Sequence, residues 1–222
     1  MAYRRTDRVI RHLAARQNAI IAAAQTLAGE SGMGTVQIVP VAQHAGIAAG
    51  TVYRYFPAKI DLVRALVTAV TEREIGAIRR AADAAPGPLS ALAGGVITFA
   101  ARANRNRRLT WAVMAEPVDA EVDAVQFEYR KALAAELKAR IQVAIASGHL
   151  PEQDAALASA ALVGVLLEAL FGPQAPALCD APGKVREAVQ MLTLFSLRAL
   201  GIVDARARGL VVQSAWPAEG AG

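Results

Sequence analysis

Between Gln37 and Phe56 lie two short runs of helix-forming residues hinged at Gly46, and neither is long enough to stand alone. An isolated helix needs roughly 12–15 residues to be even marginally stable in water. The first run shows Val41, Ala42 and Ala45 on one helical face, and the second passes from Ala49 to Tyr55 after Ile47 has packed down. Pro40 would break a helix interior, but in a first turn its missing N–H has no intrahelical partner, so it places the start near Thr35 or Gln37. Gly46 supplies the tight turn, and Ala42 is small enough for the two helices to cross closely. This is a helix-turn-helix, the geometry that sets its second helix into a major groove.

A longer helix precedes the pair. From Arg16 onward Ala19, Ile20, Ala23, Ala24, Leu27 and Ala28 form one apolar stripe, closed by the glycines of Glu30-Ser-Gly-Met-Gly34. Across the chain hydrophobic residues make up 55% but aromatics only 5%, and the excess is alanine and leucine, which favour helices over strands. The expected fold is all-α. It comprises a basic extension over residues 1–15, a three-helix helix-turn-helix domain over 16–60, and a larger helical ligand-binding and dimerisation domain over 61–222.

Charge divides the chain in the same place. The first sixty residues hold Arg4, Arg5, Arg8, Arg11, Arg16, Arg54 and Lys59 against Asp7 and Glu30, a surplus equal to the whole chain's net charge of +5. The remainder is balanced, with 17 basic and 17 acidic residues. A polyanion is the natural partner of the N-terminal part, and a basic tail without a partner is the plainer alternative.

The residues of this region also resemble the TetR family of regulators. The resemblance rests on Val41-Ala42-Gln43-His44-Ala45-Gly46-Ile47, then Gly50-Thr51-Val52-Tyr53-Arg54-Tyr55-Phe56, then Lys59 and Leu62, and it covers residues 16–66. It implies a DNA-binding transcription regulator, most simply a repressor whose homodimer binds a near-palindromic operator and is released by a small molecule. Control by a protein partner, or no ligand control, is the alternative. The candidate DNA-contacting residues are Thr35, Gln37, Gln43, Gly50, Thr51, Tyr53, Arg54, Tyr55 and Lys59. Gly50 lets the backbone approach a phosphate, the Thr51, Tyr53 and Tyr55 hydroxyls suit phosphate oxygens or base edges, and Lys59 adds a cation at a helix N-terminus. The plainer alternatives are a tyrosine that lids the three-helix core and a Thr51 that only caps. The sequence departs from the family at Ala48-Ala49, where relatives carry a polar pair, and at Val39, where a basic residue is frequent. Fewer side chains remain to read bases, so DNA shape should carry part of the specificity.

Beyond residue 57 the pattern predicts a connecting helix over 58–85, stopped by Pro86-Gly-Pro88, then helices over 89–102, 109–115, 118–147, 155–171 and 185–200. The segment 155–171 is apolar nearly all the way round, which calls for a second copy as its partner. The expected dimer residues are Leu162, Leu166, Leu170, Val189, Leu192 and Phe195. The family resemblance implies a pocket for a small apolar or amphipathic ligand, for which Phe99, Trp111, Met114, Phe127 and Tyr129 are the candidates beside plain core packing.

Other classes lack their motifs. A lone Cys179 and three scattered histidines give neither a disulfide nor a metal site, and no nucleophile-base set, phosphate loop or dinucleotide fingerprint is present, so neither enzyme chemistry nor a cofactor is expected. The charge-free stretches 31–53 and 84–101 are broken by Gly and Pro, so no membrane span is expected, and without an export signal the reading is cytoplasmic. If the N-terminal arginines lie along DNA, deleting residues 2–8 weakens DNA binding and flattens its salt dependence; unchanged affinity at two salt concentrations would remove the arm from the account.

Overall fold

The computed structural model describes residues 2–172, 175 and 183–217, with the side chains of 2–8 left aside; Cys179 lies outside the described residues. Among the described residues there are ten α-helices and no strand. They are α1 (Ala2–Ser31), α2 (Ile38–His44), α3 (Ala49–Tyr55), α4 (Lys59–Asp83), α5 (Pro88–Arg105), α6 (Arg107–Met114), α7 (Ala120–Ala146), α8 (Ala155–Phe171), α9 (Val185–Ala199) and α10 (Asp204–Gln213). A single 3-10 turn, Met33–Thr35, joins α1 to α2. No described helix is long and apolar enough to cross a membrane.

The chain divides into two compact units. The first joins residues 1–70 to 108–129, and the second joins 71–107 to 130–222. In the first unit α1 buries the stripe Ile20, Ala23, Ala24 and Ala28, against which α2 packs. Val41 and Ala42 of α2 and Val52 of α3 are fully or almost fully buried, and Phe56 and Leu62 close the same core. Each buried aliphatic side chain contributes about 1.5–3 kcal/mol, which is what holds two seven-residue helices that propensity alone would not.

Turn chemistry sets their placement. Gln37 is the N-cap of α2, so Pro40 falls in the first turn as its missing N–H requires. Gly46 takes φ +65° between α2 and α3, a left-handed conformation that costs a residue with a Cβ about 1–2 kcal/mol. Gly32, at φ +92°, ends α1, and its amide still reaches the Ala28 carbonyl at 3.0 Å.

In the second unit α5 is the central helix and packs on α8, α9 and α10. It is buried on nearly every side, from Leu89 through Leu92, Val96, Phe99 and Ala103. A bidentate pair is buried here, Arg102 Nε and Nη2 donating to Glu74 at 2.6 and 3.1 Å. Arg140 likewise binds both Glu136 and Asp83, at 2.8 and 2.9 Å. Asp154 caps α8 by accepting from the amides of Ala156 and Leu157.

Three elements differ from the sequence reading. The first helix begins at Ala2 instead of Arg16, because no Gly or Pro interrupts residues 2–28 and a helix nucleated on a buried stripe extends at little cost. The helix expected from Val118 starts at Ala120, since Asp119 caps it after Pro117. An unexpected last helix, α10, forms through Gly209 because Ala207, Leu210 and Val211 are buried along one face.

Candidate nucleic-acid interface

The outward side of the helix-turn-helix is built by elimination. Once Val41, Ala42 and Val52 are buried, helical spacing leaves Gln37, Val39, Gln43, Ala48, Gly50, Tyr53 and Arg54 exposed, with Thr51, Tyr55 and Lys59 half-buried. The Tyr53 side is 51% exposed, so this tyrosine is no lid on the core, whereas Tyr55 is partly covered and the Arg54 guanidinium lies 5.6 Å from its ring centre. Gly50 faces open space, with no atom within 4 Å of where a Cβ would sit. No side chain caps α3, so Thr51 does not act as its cap.

Two of the nine candidate residues already have local work. The Thr35 hydroxyl donates to the Gly32 carbonyl at 2.7 Å and so fixes the turn between α1 and α2. Gln37 Nε2 donates to the Gly34 carbonyl at 3.3 Å, a long and exposed bond. Val39 and Ala48 are both exposed on this side and interrupt its polar groups.

Lys59, the first residue of α4, is engaged. Its ammonium donates to Asp119 Oδ2 at 3.1 Å, while Asp119 Oδ1 accepts the Val122 amide at 2.9 Å. One carboxylate thus caps α7 and neutralises the cation at the head of α4. Three residues earlier Glu116 does comparable work: Oε2 accepts the Met33 amide at 2.8 Å and Oε1 the Arg108 guanidinium at 3.0 Å. Both side chains fit there because Gly32 has no Cβ, which would collide with the Arg108 guanidinium and the Glu116 carboxylate.

Sequence reasoning missed Glu116 and Asp119. Asp before a helical run is a recognisable N-cap signal, but nothing local announces a partner 60 residues away.

The other candidates are scattered. Phe99 belongs to the second compact unit, and Trp111, Met114, Phe127 and Tyr129 to the first. Phe99, Met114 and Tyr129 are buried, Trp111 is half-buried, and Phe127 is 52% exposed. Among the described residues the second unit holds at least two clefts, and none of these five lines either. The larger, about 310 Å³, lies among Ala81, Ala85, Ser90, Gly94, Leu210 and Gln213; the smaller, about 200 Å³, runs between α8 and α9 past Leu157, Ala161 and Val165. Of the six residues expected at a dimer seam, Leu162, Leu166, Leu170 and Val189 are buried within the chain's own core, Leu192 is half-buried and Phe195 is 55% exposed. The apolar side chains that α8 and α9 turn outward are Leu157, Met191 and Phe195.

Residues 20–66, which contain α2, α3 and the head of α4, match the family model of bacterial regulatory proteins of the tetR family. Over these residues the chain carries a domain similar to that of the tetR family. The fold is similar to that of solved structures along most of the chain. It superposes on RolR in complex with resorcinol with a TM-score of 0.68 at 20% identity, covering 94% of this chain and 98% of that one. It is similar to the fatty acid degradation regulator FadR from Bacillus halodurans (TM-score 0.71, 22% identity, 85% and 97% covered). It is also similar to FadR from Bacillus subtilis in complex with stearoyl-CoA (TM-score 0.69, 21% identity, 83% and 98% covered). No curated protein sequence matches the chain significantly.

The Val122 amide first, and Lys59 second, hold the Asp119 carboxyl below the usual aspartate range. Its cap and ion pair are therefore complete at neutral pH and are lost only as pH falls through that lowered value. In a carboxyl-detected NMR titration, Lys59→Ala moves the Asp119 midpoint upward but leaves it below that of an unstructured aspartate, because the amide bond remains. An unchanged midpoint would mean that the ion pair does not form in solution.

Proposed function

We propose that this chain is a homodimeric transcriptional regulator, most simply a repressor, whose α3 helices enter successive major grooves of a near-palindromic operator. The observation that carries the reading is the outward side of α2 and α3, where Gln37, Gln43, Tyr53 and Arg54 stand exposed over a fully formed core in the domain that matches the TetR model. In the reading, Gly50 admits a phosphate to the start of α3, Thr51, Tyr53 and Tyr55 bond phosphate or base edges, and Lys59 holds a second phosphate.

The dimer follows from α8 and α9. Leu157 is 70% exposed on α8, and Met191 and Phe195 are exposed on α9. Ala160, Ala161 and Gly164 are also exposed on α8, and such small residues let a second copy approach closely. Two recognition helices brought about 34 Å apart then match one turn of DNA.

Release by a small apolar or amphipathic molecule is the third part of the reading. It is supported by fold neighbours solved with resorcinol and with stearoyl-CoA. Such a ligand acts only if it prefers the conformation that fits DNA poorly.

The test is fluorescence anisotropy of the protein with DNA flanking its own coding region, across a salt series. Wild type binds tightly with a steep salt dependence. Tyr53→Phe binds about five- to tenfold more weakly, for loss of one hydrogen bond to DNA. Gly50→Ala loses affinity while keeping its melting temperature, since the added methyl meets nothing in the free protein. Binding no better than to random DNA at every salt concentration would contradict operator recognition.

A further inference from the structure

The segment between α6 and α7 carries two carboxylates, and both are used on the helix-turn-helix side of the first compact unit. Glu116 takes the Met33 amide in the turn that sets α2 on α1. Asp119 takes the ammonium of Lys59 at the head of α4. To that ammonium a carboxylate oxygen at 3.1 Å presents what a phosphate oxygen would, an anionic acceptor at hydrogen-bond distance.

We propose that Asp119 is an intramolecular stand-in for a DNA phosphate, holding Lys59 while DNA is absent and surrendering it when the DNA backbone binds. The proposal rests on the reading of Lys59 as a phosphate contact. It adds a competitor that the DNA-binding domain alone would not reveal, because Asp119 sits 60 residues further along the chain, at the cap of α7.

Geometry and solvent exposure suit an exchange. The Lys59 and Asp119 side chains are 35% and 47% exposed, so water and ions reach the pair and hold its strength to that of a surface contact. Asp119 also keeps a second employment, since its other oxygen caps α7 through the Val122 amide and needs no lysine to do so. Losing Lys59 to a phosphate therefore leaves α7 capped. Glu116 anchors the same segment independently, through the Met33 amide and Arg108, so the carboxylate stays near as the cation leaves. By linkage, anything that tightens the hold of Asp119 on Lys59 weakens DNA binding, and bound DNA loosens that hold equally.

The test uses the full chain and a labelled duplex of mixed sequence at low salt, because a lysine-phosphate contact is independent of sequence. Four variants are compared with wild type: Asp119→Asn, Lys59→Ala, the two combined, and Asp123→Asn. Asparagine can still cap α7. Asp123→Asn makes the same charge change in the exposed first turn of α7 and corrects for net charge alone. Melting temperatures check folding, and Asp119→Ser, a second neutral cap, replaces Asp119→Asn if the latter unfolds. Freed of its competitor, Lys59 makes the Asp119→Asn protein bind about two- to fivefold tighter than wild type, the range expected for one surface ion pair. Asp123→Asn gains clearly less, Lys59→Ala binds more weakly, and the combined variant binds like Lys59→Ala. If Lys59→Ala weakens binding while Asp119→Asn gains no more than Asp123→Asn, or loses affinity, the stand-in is overturned and the DNA reading survives. If wild type binds neither this duplex nor the flanking DNA, the DNA reading fails and takes the proposal with it.

Discussion

Two helices of seven residues each cannot support themselves, and everything this chain presents to a partner at its N-terminal end depends on that fact. Their positions are imposed from outside, by the α1 stripe that they bury, by the left-handed turn at Gly46, and by the hydrogen bonds that fix the α1–α2 junction. One of those bonds comes from Glu116, far along the chain. The first compact unit accordingly recruits residues 108–129, and its helix-turn-helix is completed by chain that follows α5.

One example from each unit shows two uses of polar groups. In the second, Arg102 and Glu74 are buried in a bidentate pair, an arrangement that fixes geometry more than it adds stability. In the first, the carboxylates of Glu116 and Asp119 are partly exposed and serve backbone amides as well as cations. Bonds of the first kind hold one arrangement. Those of the second kind can exchange partners with water, ions or a phosphate, which suits the part of the molecule expected to meet a polyanion.

What was legible in the sequence was what local spacing encodes. The apolar periodicity and the Gly and Pro positions gave every helix from α2 to α9 within a few residues, and the motif from Val41 to Phe56 lies within the segment that matches the tetR family model. What escaped was non-local or masked by composition. Gly209 and a run of charges hid α10, whose stability comes from burying Ala207, Leu210 and Val211. The arginines ahead of Arg16 read as a loose tail although nothing in residues 2–15 breaks a helix. Periodicity marked Leu162, Leu166 and Leu170 as apolar, but it does not say which apolar side of an all-apolar helix faces the chain's own core; Leu157 carries the outward one. Asp119 was visible as a cap at best, because its pairing with Lys59 exists only once the first unit has brought the heads of α4 and α7 together.

The central claim, that a dimer sets two α3 helices into adjacent major grooves, is tested most directly by guanine N7 methylation protection on a bound operator fragment. The account predicts two protected clusters on one face of the duplex, their centres about 10 base pairs apart, corresponding to one turn of DNA. A single protected cluster, or binding that leaves every major-groove N7 reactive, would contradict it.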